Sequence, residues 1–331
     1  MMALGPPPTS EESAEDLPEP TVLTRPLDST NFGYYSVSAH TDIGDRKTQE
    51  DRFVIAPNLG TPSNQVAFFG IFDGTVGHLA SETIHKIIVR HLVSTAVWSV
   101  LLSELERDRD DGSTIPALAV LSLSQAYTNA DEELLGICHQ ENNDYSSCTS
   151  VTVLVIKNYT VVAHLGDSRA ALCYQDTGKL YARFITKDHK PDMPAERCRI
   201  LASGGSVQFL SSHNNKPFLR GGDFLERKSK GDQPMQIQYS RAFGGKDLKI
   251  YGLSSEPDIS VIRRGDHHRA IVLGTDGLWD TCDCNHVFSA VFQARSNGVN
   301  PSRHLVDSAL KTNRRALHRS DNITAIVVFF E

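Results

Sequence analysis

Four aspartates fall where apolar runs stop. Asp73 follows Val66 to Phe72, Asp167 follows Val161 to Gly166, Asp276 follows Ile271 to Thr275, and Asp321 precedes Ile323 to Phe330. Glu50 and Asp51 stand between two further strand candidates. Each of the four borders Gly or Asn: Asp73-Gly74, Gly166-Asp167, Asp276-Gly277 and Asp321-Asn322. One such residue usually caps a turn. An acid at the mouth of a buried strand is partly desolvated, and an unpaired carboxylate there costs several kcal/mol. Four of them predict strand ends that converge on shared cation charge.

The ligand types choose the cation. Cys282-Asp283-Cys284 is a lone pair, and no Cys or His set has zinc spacing. No twelve-residue string of alternating acids marks a calcium loop. Oxygen-only ligation points to Mg²⁺ or Mn²⁺. Two such ions sharing a carboxylate suit phosphate-ester hydrolysis, with one ion acidifying a water and both stabilising an in-line displacement. An arginine should hold the phosphate through its bidentate fork. Arg46, four residues before Glu50, is placed to serve, although spacing alone also reads as a surface arginine.

Short runs rich in Val, Ile, Phe and Tyr must position these acids: Phe32 to Val37, Gln65 to Phe72, Thr149 to Ile156, Val161 to Leu165, Arg269 to Leu273 and Ile323 to Phe330. Helical periodicity covers His78 to Trp98, Ile115 to Cys138, Pro194 to Ala202, Asn285 to Arg295 and Pro301 to Leu317. Strands and helices do not alternate regularly, so α+β with stacked antiparallel sheets is expected. The polar stretch Val207 to Gln238 reads as a surface flap, and Arg107 to Gly112 as a charged loop. Residues 1–30 carry six prolines and six acids against one Arg, which predicts a disordered leader before a catalytic domain at 31–331.

The 331 residues are 40% hydrophobic, enough for a large core. A net charge of -7 argues against a general nucleic-acid binder. No apolar run reaches the roughly 18 residues of a membrane span. Six scattered cysteines read as reduced thiols, so a cytoplasmic or nuclear setting is expected. A monomer is the expected state.

The residues resemble those of the metal-dependent type-2C protein serine/threonine phosphatases from about Tyr34 to Phe330. Gly44-Asp45-Arg46 with Glu50-Asp51, Phe72-Asp73-Gly74 and Gly166-Asp167-Ser168-Arg169 stand in the family's order. Asp188-His189-Lys190-Pro191 follows with Glu196, Arg199 and Gly204-Gly205, then Ser240-Arg241-Ala242, Asp276-Gly277-Leu278-Trp279-Asp280 and Asp321-Asn322. The resemblance implies that Asp73 bridges two metals and that Gly74 adds its carbonyl. It places Asp276 and Asp321 on the first ion, Glu50 near the second and Asp51 on a water. Asp167 with Asp276 would offer a weaker third site near Thr149, and Arg46 would hold the phosphate. The implied fold is a four-layer αββα sandwich, two stacked antiparallel β-sheets flanked by helices.

This chain departs from the family pattern at three places. Thr75 stands where the family has its presumed general-acid His in Asp-Gly-His-x-Gly. Gly245 replaces the Asp expected after Ser-Arg-Ala-x-Gly, and the flap is longer than in many relatives. Surviving acids and Arg46 favour an active enzyme with an altered general-acid step. Thr75 and Gly245 are the evidence for the runner-up, a pseudophosphatase that binds phosphoprotein partners or a regulator without turnover.

Overall fold

The computed structural model describes residues 20–61, 64–107 and 112–331. In chain order it opens with β1 (Leu27–Asn31), β2 (Tyr35–Asp42), β3 (Arg52–Ala56), β4 (Val66–Phe72) and the short β5 (Gly74–Thr75). Helices α1 (Leu79–Val93), α2 (Ala96–Glu106) and α3 (Thr114–Gln140) follow. Next come β6 (Ser147–Cys148), β7 (Ser150–Ile156), β8 (Tyr159–Leu165), β9 (Arg169–Asp176), β10 (Lys179–Phe184) and α4 (Pro194–Ala202). The flap contributes β11 (Ser206–Leu210), β12 (Lys216–Arg220), α5 (Phe224–Lys230) and β13 (Gln236–Ile237). The chain closes with β14 (Phe243–Gly244), α6 (Lys246–Lys249), β15 (Asp258–Arg263), β16 (His268–Gly274), α7 (Asp276–Trp279), α8 (Cys284–Ser296), α9 (Pro301–Arg315) and β17 (Ile323–Phe330).

Two large antiparallel sheets stack face to face. One has the order β1-β2-β17-β16-β9-β10, the other β15-β8-β7-β4-β3. Both faces of β4 are buried, which is why its sequence is a continuous apolar run. Ala67, Phe69 and Ile71, with Val153 of neighbouring β7, meet Val37 and Ile326 of the opposing sheet. Val66, Phe68 and Phe72 turn outward to Ile84, Leu123 and Tyr127 of α1 and α3. β17 alternates in the same way, Ile326 and Val328 inward, Val327 and Phe329 towards α8 and α9. Helix, sheet, sheet and helix form the four expected layers. A one-residue slip of either strand would exchange its two packing faces, so this alternation fixes the register.

Three expectations change in detail. The periodic run His78 to Trp98 is two helices bent by 58°, because the Thr95 hydroxyl accepts the Trp98 N–H and caps a new helix. The flap is an ordered subdomain, with Leu219 and Ile237 packed on Ile200, Tyr239, Leu248 and Leu253. The expected leader boundary at residue 30 is too late. Leu27–Asn31 pairs with β2, and Leu23 exchanges both backbone bonds with Ile55. Leu23 and Leu27 pack on the inter-sheet core, which supplies the burial that composition alone did not reveal. Residues 1–19, and 108–111 of the charged loop, lie outside the described residues. No single helix among the described residues is long and apolar enough to cross a membrane.

Candidate metal and phosphate centre

The sandwich gathers the acids at one end. β4 delivers Asp73, whose backbone N–H donates to Thr149 Oγ1 at 3.3 Å and whose carbonyl accepts the Thr149 N–H at 2.9 Å. Asp276 opens α7 directly after β16. A Cβ at Gly277 would stand 2.1 Å from the Asn322 carbonyl oxygen, so only glycine lets α7 approach the Asp321 loop this closely. Asp51 is buried just ahead of β3, and its Oδ2 accepts from Thr275 Oγ1 at 3.0 Å and Thr324 Oγ1 at 2.7 Å. Its Oδ1 is buried with no partner among the described residues.

The electrostatics record this convergence. Burial and the repulsion of Asp51, Asp276, Asp167 and Asp321 hold Asp73 well above the usual carboxylate range. Asp276 is pushed up to about 8 by burial and then by Asp167, Asp280, Asp321 and Asp51. Asp51 is pushed up to about 7, chiefly by burial, against the two threonine bonds.

Cations line the rim. Arg46 Nη2 donates to Asp321 Oδ2 at 2.5 Å while its side chain stays 60% exposed. Burial pulls that guanidinium down, but Asp321, Asp276 and Asp73 outweigh it and hold it above its ordinary value. The loop carrying Arg46 is tied by Asn322, whose Nδ2 donates to the carbonyls of Ile43 and Thr48 and whose Oδ1 accepts the Glu50 N–H. Glu50 in turn accepts from Thr48 Oγ1 at 2.8 Å and from the Gly77 N–H at 3.1 Å. Between them Val76 holds φ 61°, a conformation costing a β-branched residue about 1–3 kcal/mol. Asp167 is buried with Lys190 Nζ on its Oδ2 at 2.5 Å, and Asp188 forms a two-bond fork with Arg169.

The structure thus brings Asp51, Asp73, Asp167, Asp276, Asp321 and Arg46 into one electrostatic neighbourhood, with Gly74 following Asp73 and Glu50 on the adjoining loop. Sequence reasoning assigned no role to Lys190, Asp280 or Asn322, although each lay inside a motif string it quoted. Asp280 takes Lys216 of the flap at 3.2 Å and lies 4.0 Å from Arg169. Thr75 faces the Tyr239 hydroxyl, which also lies 3.1 Å from Ser147 Oγ. His40, on β2, has Arg303 and Asp307 of α9 as electrostatic neighbours, so it faces the helix layer. Gly245 sits at φ 63°, and a Cβ there would stand 2.7 Å from Leu253 Cδ2, so the departure at this position is coupled to local packing.

The donor set suits hard cations. It is all oxygen, Arg46 and Lys190 pair only two of its carboxylates, and Asp51 keeps an orphaned buried oxygen. A second grouping, His164, His189 and Asp258, brings three ligand-type atoms within 4.8 Å. Its imidazoles are stacked at 12°, so one ion cannot lie in both ring planes. His189 Nδ1 accepts the Gly166 N–H at 3.1 Å, which leaves the proton on Nε2, 3.2 Å from Asp258 Oδ2. The grouping is two stacked, buried imidazoles beside an exposed carboxylate, and the buried His189 Nε2 has no hydrogen bond of normal geometry among the described residues.

Residues 35–323 match the family described as Protein phosphatase 2C. The chain is 31% identical over 298 residues to Probable protein phosphatase 2C 69 of Arabidopsis thaliana, covering 90% of this chain and 71% of that protein. It is 29% identical over 307 residues to Probable protein phosphatase 2C 8 of the same plant, covering 88% and 77%. The crystal structure of serine-threonine phosphatase 2C from Toxoplasma gondii superposes with a TM-score of 0.91 at 47% identity, covering 94% of this chain and all of that one. A Caenorhabditis elegans sex-determining protein shares the fold at a TM-score of 0.67 and 19% identity.

Proposed function

Given that this chain belongs to the protein phosphatase 2C family, whose members are metal-dependent protein serine/threonine phosphatases, we propose that it hydrolyses phosphoserine and phosphothreonine esters at the acid cluster. The observation that carries the reading is the convergence of the buried carboxyls of Asp73, Asp276 and Asp51, which no described cation pairs, with Asp321 and the exposed guanidinium of Arg46 that it binds. Asp73, the Gly74 carbonyl, Asp276, Asp321 and Glu50 would hold two Mg²⁺ or Mn²⁺ ions, and Asp167 with Asp276 a third, weaker one. Bound divalent ions supply an acidified water and charge neutralisation for phosphoryl displacement.

The chain's own groups do the rest. Arg46 exchanges its bond to Asp321 for the substrate phosphate, which its planar fork can grip through two oxygens. Asn322 positions the loops that carry Arg46 and Glu50. Asp51, anchored through Oδ2 by two threonines, keeps Oδ1 free to orient a water.

The test is turnover of a phosphothreonine peptide by the pure chain. Activity should vanish with a chelator and return with Mn²⁺ or Mg²⁺. A folded chain that binds Mn²⁺ without hydrolysing any phosphoester would transfer the reading to the pseudophosphatase that Thr75 favours.

A further inference from the structure

At the end of the sandwich away from the acids, a cavity of about 330 Å³ opens between the two sheets. Tyr34 and Tyr35 at the start of β2, Ala67 of β4 and Val155 of β7 line it, with Asn158 from the β7–β8 turn and Arg264 just past β15. β4 runs from this cavity to Asp73, and its length sets the two sites about 20 Å apart.

Arg264 is unlike the arginines of the catalytic end, which pair with Asp321, Asp188 or Glu196. The bond recorded for its guanidinium runs from Nη2 to the Lys157 carbonyl, and its carbon lies 4.5 Å from the Phe330 ring centroid. Nε is shut off from solvent with no acceptor among the described residues. Burial alone pulls the group below the ordinary arginine range, and no described carboxylate offsets it. Covering Phe330 and capping the turn explain the side chain's path, but leave its charge uncompensated beside an open cavity. A partly desolvated charge is stable when an opposite one meets it.

We propose that this cavity binds a small organic acid, with Arg264 facing its carboxylate or phosphate and the tyrosines and aliphatic wall taking an apolar body. The guanidinium fork suits either head group. The volume lies at the low end of ligand pockets, roughly 300–1,000 Å³, so the occupant is a small molecule. The site uses none of the catalytic residues.

The probe is 2-naphthoate, with 2-naphthamide as its neutral match, titrated by calorimetry into the full chain, Arg264→Gln and Asp73→Asn. Naphthoate should bind the wild type and Asp73→Asn alike, and naphthamide should bind neither. Arg264→Gln should weaken naphthoate at least about tenfold while melting no lower and keeping metal-dependent p-nitrophenyl phosphate turnover. Tighter binding of 2-naphthylphosphonate to Asp73→Asn would support the proposal with phosphate as the preferred head group. Equal binding of acid and amide, undiminished binding by Arg264→Gln, or no binding at millimolar naphthoate would overturn it. So would a melting loss of several degrees in Arg264→Gln, because the arginine would then be a structural strut.

Discussion

Thr75 puts two hydroxyls, its own and that of Tyr239, where an imidazole would stand in the family pattern. Burial holds the Tyr239 phenol above its ordinary range, so it is a poor proton donor near neutrality. Expelling a threonine alkoxide needs a proton, and a positioned general acid contributes roughly 10²- to 10⁴-fold. A nitrophenolate leaves with its charge delocalised. The expected result is that Thr75→His raises phosphothreonine-peptide turnover more than p-nitrophenyl phosphate turnover, measured across pH 6 to 9 at saturating Mn²⁺. An unchanged ratio in that variant would remove the missing-acid argument. At Asp73 the prediction concerns charge: Asp73→Asn should abolish turnover, yet the chelated variant should melt no lower than wild type. Its carboxylate faces four others of the same sign, so its removal relieves repulsion. A clear drop in that melting temperature would show that the cluster is not mutually repelling. The acids were legible at this scale because each interrupts an apolar run. Lys190 and Asn322 were not, since their partners lie 23 and 272 residues away in the chain.

Among the elements, the informative one is β1. Composition assigned residues 1–30 to a leader, yet Leu23 and Leu27 reach the inter-sheet core and β1 completes the edge of the β2 sheet. Chains starting at residue 20 and at residue 32 should therefore differ. The shorter one loses the β1 ladder and two partly buried leucines, worth about 1–2 kcal/mol each. A domain this large loses about 2–4 °C per kcal/mol, and its uncovered β2 edge invites association. Differential scanning calorimetry of the two truncations checks this, and identical midpoints would mean that β1 adds nothing. The sequence concealed β1 because five residues with mixed burial give no clean alternation. It concealed the α1–α2 bend because apolar periodicity continues through Thr95, whose capping role depends on where its hydroxyl points.

Across the whole molecule the ionisable groups pull stability in opposite directions: the raised carboxyls of Asp51 and Asp276 favour the native state as pH falls from about 8 towards 4, whereas His189 disfavours it. Burial, His164 and Arg241 lower His189 to about 4, whereas the unfolded chain holds it near 6.5. Between those values the unfolded state binds the proton that the native state refuses, so the contribution of His189 falls as pH drops from 6.5 to 4 and is flat above. The upper bound is about 3 kcal/mol. Glu196 is drawn down to about 2 by Arg199, Arg241 and Ser240 against its own burial, and it extends the loss from pH 4.5 downwards. His189→Asn, which keeps an acceptor for the Gly166 N–H, should lose less melting temperature than wild type, or gain more, between pH 6.5 and 4; a difference between the two that does not change with pH would mean that His189 contributes no acid lability. The sequence by itself determined the layers and the acids. Period-two burial needs only neighbouring residues to be readable, and a carboxylate ending a buried strand is costly wherever the strand sits. Tertiary structure alone decided which carboxylates share charge, that Asp51 keeps one oxygen unpartnered, that two buried histidines stack, and that Arg264 faces a cavity without a counter-charge. Those properties belong to distances between strands and helices remote in the chain, and no local pattern encodes them.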